Sequence, residues 1–288
     1  MRGNYLTTGP MIEQFEQAIA QYVSARFAVV FSSGTAALHG AVYAAGIGEG
    51  DEVVTTPMTF AASANCVLYQ RGNPIFADID PRTGNIDPST LEALITSRTK
   101  AVIPVDYTDR PVPMDDIKAL AHRYGLIVIE DAAHALGATY RDRRVGASAD
   151  MTMFSFHPVK QITTGEGGVI VTNSPTYYEK LLKFRSHGIT KDNTKLLKHD
   201  GPWYYEMQGL GYNYRMTDIQ AALGLSQLQC CEEFLDRRRT LVRFYREELS
   251  KVEGIVVSPE SSQGESAWHL FVLQLEPERL CGRETRDL

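Results

Sequence analysis

The sequence predicts an α/β chain built on a mostly parallel sheet covered by helices, and two patterns carry that expectation. Short apolar runs of strand length alternate with amphipathic segments of helical period, and several of those segments are long enough to cross between parallel strands. The first helix lies behind Pro10, where Ile12, Phe15, Ile19 and Tyr22 recur at helical spacing. Strands are expected at 27–31, 52–56, 74–79, 101–105, 126–130, 151–156 and 168–172. Crossover helices are expected at 60–69, 88–95 and 114–124. From 217 to about 252 the pattern becomes one long connecting helix carrying Ile219, Leu223, Leu228 and Phe234, and 268–275 reads as the last strand. Residues 1–216 are thus expected to form one large α/β domain. Residues 217–288 are expected to form a long helix and the first part of a small C-terminal domain that stops incomplete.

Composition narrows the class. With 288 residues, 43% hydrophobic and 22% charged, the chain has the make-up of a folded globular protein. A net charge of -6 argues against nucleic acid as the main partner, because phosphate binding needs a basic surface. Cys66, Cys230, Cys231 and Cys281 form no CxxC pair and no His-interleaved ligand spacing, so no metal site is expected and the thiols are read as free. No apolar run approaches the ~20 residues of a membrane span, and residues 1–10 lack an apolar leader core, so the expected setting is the cytoplasm, away from any membrane.

Four segments suggest chemistry. Ser32-Ser33-Gly34-Thr35-Ala36 stands at a strand-to-helix turn, where backbone N–H groups and the helix field suit a phosphate, although Ser and Thr also cap helices in many proteins. Glu130-Asp131-Ala132-Ala133-His134 follows an apolar strand at the sheet edge where open α/β folds bind ligands, with helix capping as the alternative role of Asp131. Phe154-Ser155-Phe156-His157-Pro158-Val159-Lys160 leads into Gly165, Gly167 and Gly168. Its lysine sits in an almost uncharged stretch, where apolar surroundings and nearby cationic character would lower its pKa and free a nucleophilic amine, although an exposed, solvated lysine is the commoner outcome for any one Lys. Asn213 and Arg215 precede Thr217, a natural cap for the long helix. Phe60, after a strand, is ordinarily a core residue.

In this order the segments resemble the DegT-type nucleotide-sugar aminotransferases, within fold-type I of the pyridoxal-phosphate enzymes. The resemblance spans nearly the whole chain, although the chain starts about one helix late and ends before that family's small domain is complete. It implies pyridoxal 5'-phosphate as cofactor, Lys160 as the Schiff-base lysine, Asp131 as partner of the ring nitrogen and Phe60 as a stacking ring. His134 is expected near the cofactor's phenolic oxygen, and Gly34, Thr35, Ala36 and Ser155 around its phosphate. Asn213 is expected to reach the phosphate of the other subunit of a homodimer, and Asn4, Tyr5, Leu6 and Ser33 to contact a sugar nucleotide. The segments 4–10, 186–190 and 202–206 point to the pseudaminic acid branch, with L-glutamate as amino donor and a UDP-linked 4-keto sugar as acceptor. One departure stands out: Asp109-Arg110 occupies a place where the family usually has Gly-Gln. Lys160 argues against the related sugar dehydratases, which carry histidine there; a truncated non-catalytic homologue is the other alternative.

Overall fold

Seven of the apolar runs pair into one sheet in the order β1-β9-β8-β5-β4-β2-β3. The computed structural model describes residues 5–198, 200–261 and 263–279. In chain order the elements are α1 (Pro10–Val23), β1 (Phe27–Phe31), α2 (Gly34–Ala44), β2 (Glu52–Thr55), α3 (Ala62–Tyr69), β3 (Asn73–Phe76), α4 (Pro88–Leu91), β4 (Thr99–Val102), α5 (Met114–Tyr124) and β5 (Ile127–Asp131). There follow β6 (Thr139–Tyr140), β7 (Arg143–Arg144), β8 (Met151–Ser155), β9 (Gly168–Thr172), α6 (Pro175–Arg185), β10 (Ile189–Thr190), β11 (Glu206–Met207), α7 (Asp218–Gln229), α8 (Cys231–Leu249), β12 (Ile255–Val257), β13 (Gly264–Glu265) and β14 (Leu273–Leu275). Only β9 runs against its neighbours; the other six strands of the large sheet are parallel to one another.

Strand alternation distributes the core over both faces of the sheet. Ala28 and Val30 join Phe15 and Ile19 of α1 and Ala221 of α7, while Val29 and Phe31 join Leu38 of α2, Val67 of α3 and Phe184 of α6. A third cluster sets Ile117 and Leu120 of α5 on Val102 and Val128. Helix ends follow from side-chain chemistry. Ser33 and Ser174 cap α2 and α6, and Thr217 with Gln220 forms a reciprocal capping box on α7. Among the described residues no helix is long and apolar enough to cross a membrane.

Three expectations are corrected. The single long helix after 217 is two helices, because Cys230 leaves helical geometry at φ -96° and ψ 0°. The buried positions Ala221, Gly224, Cys231, Leu235 and Val242 keep helical phase across that junction, and neither Gly nor Pro marks it. The break is therefore set by packing. Gly224 lets α7 lie directly on Phe15, since a Cβ there would stand 2.5 Å from its ring. The strand expected at 268–275 shrinks to Leu273–Leu275, paired with β12, because Trp268 adopts φ 53° and turns the chain. The 88–95 helix is likewise only one α-turn followed by a 3₁₀ turn at Glu92–Leu94. Of the expected free thiols Cys66, Cys230 and Cys231 are unpaired, and Cys281 lies outside the described residues.

Candidate active site

The parallel strands all end on one edge of the sheet, and the four chemical segments meet there. A cavity of ≈ 220 Å³ is lined by Thr59, Phe60, Asp106, Asp131 and His134, among others. A second hollow of ≈ 380 Å³ includes Ser33, Thr35, Ala36, Tyr212 and Tyr214. Two larger concavities lie elsewhere, one beside α8, where Arg239 and Asp236 pair at 2.7 Å, and one between 80–88 and 259–263, and no lysine is among the residues lining either.

Asp131 ends β5 with 4% exposure, and no helix follows it, so it is not a helix cap. Its Oδ2 accepts from the Ser63 hydroxyl at 2.6 Å and its Oδ1 from the Ala133 N–H at 3.2 Å. Burial pushes its carboxyl upward, while Ser63, Ala133 and the charge of Lys160 pull it back. Alternation sends the preceding Glu130 to other partners: it accepts from Thr152 at 2.8 Å, and burial raises it to about 7. Of two consecutive carboxylates, only Asp131 is among the residues lining the cavity.

Lys160 sits half-buried on the connection from β8 to β9, its N–H donated to the His157 carbonyl at 3.0 Å. Burial lowers its ammonium from 10.5 to about 8, and the Asp131 charge works in the opposite direction. The expected cationic neighbours are not the cause; desolvation is. Each charge favours the ionised form of the other, so the two side chains lie within electrostatic reach of one another. His134 is held neutral, lowered to about 4 by burial first and by Lys160 second. Its Nδ1 is buried and has no partner among the described residues.

Phe60 contradicts the ordinary expectation for its type: it stands 76% exposed at the cavity wall, just before α3. Replacing it with alanine should leave thermal stability almost unchanged, within ~0.5 kcal/mol, because little of it is packed. The same change should weaken pyridoxal-phosphate affinity by roughly two- to ten-fold, the range of a ring-stacking contribution, when affinity is read by absorbance titration. An unchanged affinity would remove Phe60 from the site.

At the second hollow the Ser33 hydroxyl accepts the Ala36 N–H at 3.1 Å, so Ser33 does cap α2. The first-turn N–H groups of Gly34 and Thr35 have no intrahelical acceptor. Ser155 lies against this turn: a Cβ on Gly34 would come within 3.2 Å of its hydroxyl. A Cβ on Gly168 would sit 2.7 Å from the Gly34 backbone, so only glycine allows β9 to pass this close. That close approach is to the protein's own chain. Only Gly165 of the three has a left-handed φ, at 80°.

The residues present fit pyridoxal phosphate. An exposed ring, a buried carboxylate, an unpartnered His134 nitrogen and a partly desolvated amine surround one lobe, and a helix N-terminus with Thr35 and Ser155 forms the other. Three expected contacts are not part of either lobe. Tyr5 and Leu6 are 61% and 63% exposed and line neither hollow, and Asn4 lies outside the described residues. Asn213 is exposed between the stacked Tyr212 and Tyr214, on a segment bonded to Arg185.

Sequence reasoning missed several supporting residues. Ser63 holds Asp131, and Asp218 accepts the Gly9 and Met11 N–H groups at 2.7 and 3.0 Å, fixing the start of α1. His269 places its ring 4.4 Å from that of His134. The Ser63 signal was present in Thr59 and Ser63, one helical turn apart and hydrogen-bonded at 2.8 Å; for His269, 135 residues beyond His134, no local signal existed.

The fold recurs in solved structures. The Helicobacter pylori aminotransferase PseC, involved in the biosynthesis of pseudoaminic acid, is similar with a TM-score of 0.89 and 34% identity, covering 96% of this chain and 72% of its own. The PLP form of the sugar aminotransferase Spr1654 of Streptococcus pneumoniae is similar with a TM-score of 0.87 and 30% identity, over 96% and 73%. Among sequences, the spore coat polysaccharide biosynthesis protein SpsC of Bacillus subtilis is 42% identical over 279 residues, 97% of this chain and 72% of its own length. The family model for the DegT/DnrJ/EryC1/StrS aminotransferases matches residues 1–287, and the chain belongs to that aminotransferase family.

Proposed function

We propose that this sugar aminotransferase moves an amino group from L-glutamate to the 4-keto group of a UDP-linked 4-keto-6-deoxy-N-acetylhexosamine, in the pseudaminic acid pathway. Its cofactor is pyridoxal phosphate, as in its family. The observation that carries the reading is the half-buried Lys160, brought to about 8 beside Asp131. The similarity to PseC and the exposed Trp203 and Tyr205 of the 202–206 segment favour the pseudaminic branch.

Bound pyridoxal phosphate supplies an electron sink for carbon next to nitrogen. Lys160 holds it covalently at rest and is then the base: its neutral Nζ takes the α-proton of the donor and gives a proton to the sugar carbon that gains the amine. Asp131, fixed by Ser63 and Ala133, presents a carboxylate that keeps a ring nitrogen protonated. His134 offers its free nitrogen to the phenolic oxygen, Phe60 stacks, and Gly34, Thr35, Ala36 and Ser155 hold the phosphate. Asn213 serves the site of a second copy in a homodimer; Asn4, Tyr5, Leu6 and Ser33 contact the sugar nucleotide. On this reading 1–216 is the cofactor-binding domain, 217–288 holds the connecting helices and residues of a smaller domain, and the enzyme works in the cytoplasm.

Nitrogen-15-labelled glutamate with the UDP-4-keto sugar tests this by mass spectrometry. Label in a 4-amino sugar is the expected result. Label transferred only to other nucleotide sugars would move the substrate assignment, and loss of a hydroxyl without label would indicate a dehydratase.

A further inference from the structure

Asp109 is an expensive residue for the fold. It is 1% exposed, and its backbone takes φ 83°, a left-handed conformation that glycine adopts freely and aspartate does not. Its carboxylate is also withdrawn from water without a cationic hydrogen-bond partner among the described residues. What it does have is a backbone target far along the chain. Oδ2 accepts the N–H groups of both His269 and Leu270, while Oδ1 has no partner among the described residues. The adjacent Arg110 guanidinium donates to the Pro259 carbonyl, and Arg238 on α8 donates to the Trp268 carbonyl at 3.0 Å. The turn at Trp268 is therefore gripped from both sides, by N–H acceptance at Asp109 and C=O capture at Arg238.

The gripped turn carries one side chain into the site. The His269 ring lies 4.4 Å from the His134 ring, and the His134 carbonyl in turn accepts from Gln161, the residue after Lys160. We propose that Asp109 is a positioning residue that holds His269 against His134, closing the side of the pocket next to Lys160 and fixing where the His134 nitrogen points. The proposal rests on the reading of Lys160 and His134 as site residues. It assigns a purpose to the Asp-Arg pair at 109–110, which departs from the Gly-Gln usual at this place.

Because a single oxygen takes both amide bonds, an asparagine carbonyl can replace it, and asparagine tolerates left-handed φ. Glycine would relax the backbone and lose the tether. The chain has two tryptophans, Trp203 and Trp268, so a Trp203→Phe background leaves the half-buried Trp268 as sole fluorescent reporter of the turn. In apo protein, Asp109→Gly should shift Trp268 emission to the red, and Asp109→Asn should not. With pyridoxal phosphate added, the pH midpoint for capture by Lys160 should rise by about one unit in Asp109→Gly, as water reaches the amine, and stay in place in Asp109→Asn. Emission and midpoint unchanged in the glycine variant would overturn the proposal. So would an asparagine variant shifted in both, which also decides the matter if the glycine variant does not fold. If wild type captures no cofactor but emission still moves only in the glycine variant, the tether stands and the aminotransferase reading of Lys160 fails.

Discussion

Lys160→Ala should abolish the visible absorbance expected of the wild-type protein with pyridoxal phosphate, and should lower amino transfer by ~10⁴-fold or more, the upper end of what one positioned proton-transfer group supplies. The size follows from the two duties proposed for one nitrogen, covalent attachment and proton transfer. The variant should also separate chemistry from stability. Lys160 has a folded pKa of about 8 against 10.5 ordinarily, so folding favours its neutral form. The cost of keeping it charged in the folded state grows as pH falls from the unfolded value toward 8, and is full below that. Thermal melts of the apo variant should therefore exceed wild type at pH 7 and converge with it near the unfolded value. A variant that keeps the absorbance band would end the assignment of this lysine.

Asp131→Asn should lower turnover by ~10²–10³-fold, the range for removing a preorganised electrostatic group. Asparagine keeps the shape and can still accept from Ser63, so the protein should fold. Asp131 raises the Lys160 pKa, and its removal must move that pKa further down. The pH midpoint for cofactor capture should thus drop below about 8 in Asp131→Asn, the opposite direction from Asp109→Gly. An upward shift would mean that the carboxylate and the amine do not face each other. Rate against pH in stopped-flow absorbance reads both effects at once.

The parts of this molecule that were legible in sequence are those where local pattern and tertiary demand agree. The strands at 27–31 and 168–172 are continuous apolar runs with both faces buried, and α5 begins and ends where the pattern says, stopped by Gly125 in the left-handed region. Lys160, Asp131 and His134 could be singled out as candidates because each sits in a short segment whose composition is unusual for a surface. The break at Cys230 was not, since apolar spacing runs through it in phase. Residue type alone pointed Phe60 to the core, whereas the resemblance pointed it to a ligand-facing position, and the ring is exposed at the cavity wall. Asp109 and His269 were invisible as a pair, since 160 residues separate them and only the folded chain brings them together.

Ser155 and Gly168 are direct partners where β8 and β9 meet, and both abut the start of α2. The loop bearing Lys160 is thus a closed stirrup whose two feet stand on the same ledge that would receive a phosphoryl group. A displacement of that ledge would reach both feet together, so the frame from which Lys160 projects is tied to the start of α2 by the chain's own packing.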